Sequence, residues 1–131
     1  MSDIFPVTFT VDGAPCSYKN SKVAIRLGKR SSIVPSKKSK AWMDSAIPQL
    51  EAQWVYTPIP KSVPLHVTVL CYMPTRLKTD LDNLLGGPGD ALQRAGIIED
   101  DSAIESWDGS RRLHDPERPR VEITINRFVE G

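Results

Sequence analysis

Four aspartates flank one short apolar segment of the chain, and their types and spacing suit a divalent cation. Asp80 and Asp82 precede the segment, and Asp100 and Asp101 follow it. Residues i and i+2 of an extended segment project to the same side, so Asp80 and Asp82 can reach one ion. Mg²⁺ is typically held by one or two carboxylates and works on phosphates. The pattern therefore predicts metal-dependent phosphodiester chemistry.

Other cation and phosphate sites are excluded by the residues that they require. An EF-hand loop counted from Asp80 needs glycine at its sixth position and glutamate at its twelfth, where the chain has Leu85 and Ala91. The glycine-rich stretch 86–89 lacks the Gly-Lys-Ser/Thr ending of a phosphate-binding loop. The sequence has no His/Cys cluster with zinc spacing. A carboxylate site for one or two cations over segment 80–101 remains.

The net charge of +1 conceals a strong division of charge along the chain. Residues 1–40 contain eight Lys or Arg and two Asp, a balance of +6. Residues 80–108 contain eight acidic residues and one Arg, a balance of −7. A basic segment attracts DNA phosphates, and an acidic cluster repels them unless cations occupy it. Lysine runs also suit solvated surface loops, so the charge pattern alone leaves both interpretations open.

The size and composition are those of an ordinary globular domain. The 131 residues are 40% hydrophobic and 25% charged, which predicts one domain over residues 1–131. The sequence contains no apolar run of about 18 residues and no signal-peptide pattern at its start. Cys16 and Cys71 match no metal or redox spacing. We therefore expect a reduced, cytoplasmic protein that does not contact a membrane.

The first half of the chain predicts two strands, a loop and a helix. Residues 4–11 and 22–27 are rich in β-formers and read as strands. Residues 28–39 are basic and aperiodic, which predicts a basic loop. Residues 40–54 have apolar residues near helical spacing, although Pro48 should kink this helix or cut it short.

The second half supplies a central strand and a pair of terminal strands. Residues 63–73 form the strongest strand pattern in the chain. Residues 104–112 and 120–128 are joined by a turn-rich segment and predict a terminal hairpin. Strands and helices mixed in this order predict an α+β domain with a mixed β-sheet of about four to five strands and two helices.

The carboxylate segment itself predicts an interrupted helix. Asp82 or Asn83 can cap its start, and Gly96 can follow its end. Three glycines and a proline at 86–89 oppose a continuous helix by several kcal/mol, so a break is expected there. The end of this element should return Asp101 towards the first pair of aspartates.

A longer pattern of residues at fixed gaps runs through the same segment. It consists of Asp80, Leu81, Asp82, Asn83, Leu84 and Leu85, then Pro88, Asp90, Ala91, Leu92, Ala95 and Gly96, and finally Asp100 and Asp101. This pattern resembles the RusA family of Holliday junction resolvases, and the likeness covers most of residues 63–128. Members of that family are small homodimeric, Mg²⁺-dependent endonucleases that nick four-way DNA junctions symmetrically.

The resemblance implies a RusA-like homodimer that acts on four-way junction DNA in recombination and repair. It implies Mg²⁺ as the cofactor, with Mn²⁺ able to substitute, and no organic cofactor. By position, Asp80, Asp82 and Asp101 match the family's metal-binding catalytic acids, and Asp100 matches an acidic position beside them. The basic residues that we expect to contact DNA are Lys29, Arg30, Lys37, Lys38, Lys40, Arg76 and Lys78.

The chain departs from the family pattern at one position. The family has a lysine four residues after the second aspartate, where this chain has Gly86. Lys78 or Arg76, just before the aspartates, can supply the missing charge in an active resolvase, and Lys78 is our candidate for that catalytic role. Two alternatives stay open, namely a catalytically impaired junction-binding protein and a branched-DNA or flap nuclease of altered specificity.

Overall fold

A nine-residue strand with strictly alternating burial forms the centre of the computed structural model. The structure describes residues 4–17, 22–27, 30–35, 37–76 and 79–130, with the backbone alone for 22–27 and 30–35. Within these ranges the chain order is β1 (Val7–Asp12), β2 (Lys22–Leu27), β3 (Arg30–Pro35), α1 (Lys37–Ala52), β4 (Leu65–Met73), α2 (Leu81–Arg94), a 3₁₀ turn (Asp101–Ala103), β5 (Ile104–Ser106), β6 (Arg111–His114) and β7 (Arg120–Arg127).

Strand β4 has neighbours on both sides, as the sequence predicted for a central strand. It pairs antiparallel with β7, which in turn pairs antiparallel with β1. Its other edge pairs in parallel with β5 near its start and with β6 near its end. The result is a mixed five-stranded sheet with two α-helices among the described residues, so the predicted α+β class is confirmed.

The predicted terminal hairpin is wrong, because β6 and β7 lie on opposite sides of β4. Arg112 of β6 is in register with Cys71, and Val121 of β7 is in register with the same residue. Alternation of apolar and polar residues identifies a strand, but it does not identify the strand with which it pairs. The turn-rich segment between these strands therefore crosses the end of β4 instead of closing a hairpin.

The predicted basic loop over 28–39 is also wrong. Arg30–Pro35 form β3, which pairs antiparallel with β2 in a separate two-stranded sheet. Helix α1 begins at Lys37 and continues past Pro48 to Ala52, so the proline does not end it. Pro48 and the residue four positions before it, Asp44, are both exposed, so water can solvate the carbonyl that lacks a helical partner.

One face of the sheet and the two helices enclose the core. Leu65, Val67, Val69, Cys71 and Met73 of β4 point into it and are almost fully buried. Trp42 and Trp54 are buried there as well. Among the described residues, neither helix is long and apolar enough to cross a membrane.

The outer edge of β1 is closed by the side chains of Gln49, in α1, and Gln53, which directly follows the helix. The Gln53 amide accepts from the Thr10 backbone N–H at 3.0 Å and donates to the Thr10 carbonyl at 2.8 Å. Gln49 makes the same pair of hydrogen bonds with Asp12, at 2.7 and 3.1 Å. Two glutamines one helical turn apart therefore replace a neighbouring strand at this edge.

Candidate active site

The first two candidate aspartates lie at the start of α2 and are both exposed. The helix begins at Leu81, with Asp80 as its N-cap and Asp82 in its first turn. The extended segment expected to hold both aspartates is therefore absent, and the cap is Asp80 instead of Asp82 or Asn83. The Asp80 side chain makes no capping hydrogen bond, and the Asn83 N–H donates to the Asp80 backbone carbonyl at 3.0 Å. The helix start leaves the Asp80 carboxylate available to a ligand.

Helix α2 passes through the glycine-rich stretch without interruption, so the predicted break at 86–89 is wrong. Leu84, Gly87, Pro88 and Gly89 are buried on its inner face. A Cβ at Gly89 would come within 3.4 Å of the Trp107 ring. Most helical stability in a folded protein comes from packing of a buried face, which here outweighs the poor helix propensity. Gly86 lies on the exposed side, one turn after Asp82.

The far end of α2 closes as the sequence predicted. Gly96 follows the C-cap with φ +76°, a conformation that suits glycine. The Ile97 N–H donates to the Leu92 carbonyl at 3.0 Å, and the Gly96 N–H donates to the Gln93 carbonyl at 3.1 Å. These two bonds form a Schellman motif, so the final carbonyls of the helix are satisfied.

Asp100 and Asp101 follow this closure and differ in what their groups do. The Asp100 carboxylate accepts from the Ser102 N–H at 2.9 Å and caps the 3₁₀ turn. That hydrogen bond holds the pKa of Asp100 below its ordinary value. The Asp101 backbone N–H donates to the Gln93 side-chain oxygen at 3.0 Å, which ties it to the last turn of α2. Asp100 thus has a structural role, whereas the Asp101 side chain is exposed.

The expected return of Asp101 towards Asp80 and Asp82 does not occur within one chain. The Asp101 N–H is hydrogen-bonded to the Gln93 side chain. Gln93 lies eleven positions after Asp82 in the helix, which is roughly 16 Å along the axis. The sheet agrees, since Ile104 pairs with the start of β4 and the aspartate pair follows its end. No group of three or more His, Cys, Asp or Glu side chains in the described ranges could hold a metal ion.

The donor chemistry therefore fits a hard cation, but one chain alone does not supply a three-carboxylate site. Asp80 and Asp82 offer two exposed carboxylates near one end of α2. Oxygen ligands of this type suit Mg²⁺ or Mn²⁺. The third carboxylate, Asp101, lies near the other end of the same helix.

The structure describes the side chains of four of the seven basic residues that were predicted to contact DNA. Lys29 and Lys78 lie outside the described residues, and only the backbone of Arg30 is described. Arg76 is exposed and precedes the aspartates by a few residues. Lys37, Lys38 and Lys40 are exposed on the first turn of α1, where Lys40 pairs with Asp44 at 2.9 Å. The structure thus leaves their contacts with DNA as predictions.

A basic residue that the sequence reasoning did not assign lies beside the aspartates. The Arg112 guanidinium donates from Nη1 to the backbone carbonyl of Thr79, the residue before Asp80. Alternation along β6 indicates that Arg111 and Arg112 point to opposite faces. The pairing of β6 with β4 shows that Arg112 is the arginine that points towards α2. The sequence alone could not distinguish Arg111 from Arg112 in this respect.

Sequence comparisons show which known proteins this chain is similar to. The profile of the family described as Endodeoxyribonuclease RusA matches residues 12–126. Over 69 residues, the chain is 33% identical to the crossover junction endodeoxyribonucleases RusA of Escherichia coli strain K12 and of Enterobacteria phage 82. That segment covers 51% of this chain and 55% of each relative. A protein of the same name from E. coli O139:H28 is 37% identical over 46 residues, covering 35% of this chain and 38% of the relative. The matched segment thus spans about half the length of most of these curated relatives.

Proposed function

The chain belongs to the endodeoxyribonuclease RusA family, and from that premise we propose that it is a metal-dependent resolvase that nicks four-way DNA junctions. The observation that carries the proposal is the start of α2, where Asp80 and Asp82 are exposed and Asp80 is not used as a side-chain cap. A carboxylate that caps a helix contributes to folding, whereas the exposed Asp80 carboxylate is available to bind a ligand. Bound Mg²⁺ would supply a Lewis acid at the phosphoryl oxygen.

We further propose that the third carboxylate of each site comes from a second copy of the chain. Asp82 and Asp101 lie near opposite ends of α2 within one chain. In a two-fold dimer, residue i of one protomer meets residue j of the other, and the reverse contact forms as well. Two antiparallel α2 helices would then build two equivalent sites, which suits a substrate that offers two equivalent strands.

The residues of this chain would bind and orient the DNA around each site. Arg76 lies a few residues before Asp80 and is exposed, so it can contact a phosphate next to the cleaved bond. Lys37, Lys38 and Lys40 present positive charge on the first turn of α1, where it would attract the arms of a junction. The small domain would rely on such phosphate contacts for affinity and on the two-fold arrangement for junction preference.

The proposal predicts that Asp82→Asn and Asp101→Asn each lower junction nicking in Mg²⁺ by roughly 1,000-fold or more. Equal mixtures of the two variants should regain nicking, because one of the two shared sites then has its full set of carboxylates. The products of such mixed dimers should be single nicks instead of paired ones. A gel assay with a four-way junction labelled on each strand in turn measures both results.

Asp44→Asn provides a matched control, because it removes an exposed aspartate that belongs to α1 and pairs with Lys40. It should nick at the wild-type rate. An inactive mixture of Asp82→Asn and Asp101→Asn would contradict the shared site, and an active Asp82→Asn homodimer would contradict the carboxylate site itself.

Exposed Gly86 favours one second candidate, a junction-binding protein that does not cleave. In that case the wild type binds junctions tightly in Mg²⁺ without nicking them, and Gly86→Lys gains nicking. Preferential cutting of flaps over four-way junctions would instead identify a nuclease of altered specificity.

A further inference from the structure

The surface beside Asp82 lacks a cation on α2. Gly86 is exposed one turn after Asp82, on the side where a longer basic residue would reach a phosphate next to a cation that the aspartates would bind. Phosphoryl transfer benefits from positive charge fixed next to the phosphate oxygens. If the proposed nuclease function holds, another residue has to supply that charge.

Arg112 is held at the position that this role requires. It pairs in register with Cys71, whose side chain points into the core below the helices. Its Nη1 group donates to the carbonyl of Thr79, so the guanidinium is fixed next to Asp80. The residue is exposed, and this hydrogen bond uses one of the five N–H donors of a guanidinium.

The Arg112 charge is also not neutralised by a described carboxylate. Arg94, Arg118 and Arg120 each form an ion pair with an aspartate or glutamate. No carboxylate in the described part of the chain lies within ion-pair distance of Arg112, whose anchor is a neutral carbonyl. A fixed guanidinium that keeps its charge can bind a phosphate through two parallel hydrogen bonds.

We propose that Arg112 is a catalytic residue that contacts the scissile phosphate beside Asp80 and Asp82, in place of a lysine on α2. This proposal rests on the proposed nuclease function. Hydrolysis joins a water oxygen to phosphorus, breaks the bond to the 3′ oxygen and transfers one proton of the water to that oxygen. The guanidinium stays protonated throughout, and its hydrogen bonds stabilise the charge on the non-bridging oxygens.

The neighbouring residue Arg111 is a control within the same strand. It is exposed like Arg112 but is in register with Leu70, which points to the opposite face of the sheet from Cys71. Arg111→Met and Arg112→Met therefore remove the same charge from adjacent positions on opposite faces. Arg112→Gln removes the charge but keeps an N–H donor for Thr79.

The test measures single-turnover nicking of a four-way junction with saturating protein in Mg²⁺. Arg112→Met and Arg112→Gln should nick about 100-fold more slowly, whereas Arg111→Met should match the wild type. Arg112→Lys should recover part of the rate. Gly86→Lys should recover most of the rate when combined with Arg112→Met, because both cations would reach the same phosphate.

A second readout does not depend on cleavage. Junction affinity is measured in EDTA over a range of salt concentrations, where the logarithmic slope falls by about 1 for each phosphate that the protein no longer binds. Arg112→Met and Arg112→Gln should lower that slope, and Arg111→Met should not. Thermal unfolding of each variant shows whether a loss of binding comes from a damaged fold. If Arg112→Met is destabilised, the salt slope of Arg112→Gln decides whether Arg112 binds phosphate.

Equal losses of nicking for Arg111→Met and Arg112→Met would overturn the proposal in favour of general attraction to DNA. Wild-type nicking by Arg112→Gln would overturn it as well, as would the absence of any rescue by Gly86→Lys. A wild type that binds junctions but never nicks them would contradict the proposed nuclease function instead. The role of Arg112 in binding phosphate would then be retained or rejected on the salt slope alone.

Discussion

The polar groups on the two sides of β4 have different kinds of partner, as a comparison of Arg120 with Arg112 shows. Arg120, on β7, is in register with Tyr72, and Arg112, on β6, is in register with Cys71. The Arg120 guanidinium lies 3.7 Å from the centre of the Tyr72 ring and donates to Glu122 and Asp115, both at 2.8 Å. Within the part of the chain that the structure describes, the Arg112 guanidinium donates to one neutral acceptor, the carbonyl of Thr79.

The contrast extends to the residues around each arginine. On the β7 side, Asp12 pairs with Arg118, and Gln49 and Gln53 satisfy the edge of β1. On the α2 side, the Asp80 carboxylate makes no cap, and Gly86 places no side chain on the exposed helix surface. Polar groups that satisfy one another stabilise the fold, whereas a guanidinium held by a neutral carbonyl keeps its charge.

The largest expected effect is the loss of stability in Arg120→Met. The substitution leaves Asp115 and Glu122 without their shared partner and removes the cation–π interaction with Tyr72. We expect the Tm to fall by about 5 °C, while Arg112→Met leaves it nearly unchanged. Differential scanning calorimetry of the two variants measures the difference, and equal shifts would break the comparison between the two arginines.

The pH dependence of this difference provides its control. The hydrogen bond from Arg120 holds the pKa of Asp115 below its ordinary value of 3.8. A depressed pKa stabilises the folded state above the ordinary value, and that stabilisation is lost as the pH falls through the folded-state value. The Tm gap between wild type and Arg120→Met should therefore be full at pH 6 and should shrink on acidification below about pH 4.

A somewhat smaller effect is expected at the edge of β1. Gln49→Ala combined with Gln53→Ala removes four hydrogen bonds to the Thr10 and Asp12 backbone, which water then solvates. We expect the Tm to fall by about 4 °C and the exposed edge to self-associate at high concentration. Calorimetry and light scattering measure the two effects.

The matched control for this edge is Gln93→Ala, which removes a glutamine that contacts the Asp101 backbone at the far end of α2. It should leave the oligomeric state unchanged. If Gln93→Ala self-associates to the same degree, exposure of the β1 edge is not the cause, and the protective role assigned to Gln49 and Gln53 would be contradicted.

The sequence predicted the strands better than their partners. Alternation identified residues 22–27 and 63–73 as strands, and the structure has strands at Lys22–Leu27 and Leu65–Met73. It could not show that β6 joins β4 in parallel, because the period of a strand is the same whatever lies beside it. The missed strand β3 has serines and an arginine instead of an apolar alternation, and its partner β2 determines its conformation.

The helix at the candidate site was misjudged for a related reason. Propensity at 86–89 is a local quantity, whereas the burial of Gly87, Pro88 and Gly89 against the core depends on residues far away in sequence. Gly96 was predicted correctly, because a left-handed residue after a helix is a local requirement. The sequence likewise placed the two aspartate pairs at opposite ends of this element, but it did not predict that a continuous helix would hold them apart.

The smallest expected effects come from two glycines on the α2 side of β4, and they should have opposite signs. Gly96 has φ +76° with open space around it, so Gly96→Ala is opposed by the backbone alone and should lower the Tm by about 3 °C. Gly89 has helical geometry, and an added Cβ would make an ordinary contact with Trp107 at 3.4 Å. Gly89→Ala should therefore raise the Tm by about 2 °C, because alanine loses less conformational freedom than glycine in a helix.

The substitutions at Gly89 and Gly96 distinguish two reasons for a glycine: close packing within α2 at Gly89, and backbone conformation just after α2 at Gly96. Gly89→Leu places a larger side chain against Trp107 and should reverse the gain of Gly89→Ala, whereas Gly96→Asn, which tolerates positive φ, should recover part of the loss of Gly96→Ala. Nicking of four-way junctions should change little in Gly89→Ala, since the residue is buried and the aspartates are exposed. A Gly89→Ala protein with lower stability and normal nicking would mean that the Trp107 ring cannot accept a Cβ at 3.4 Å, so close packing would then require glycine there.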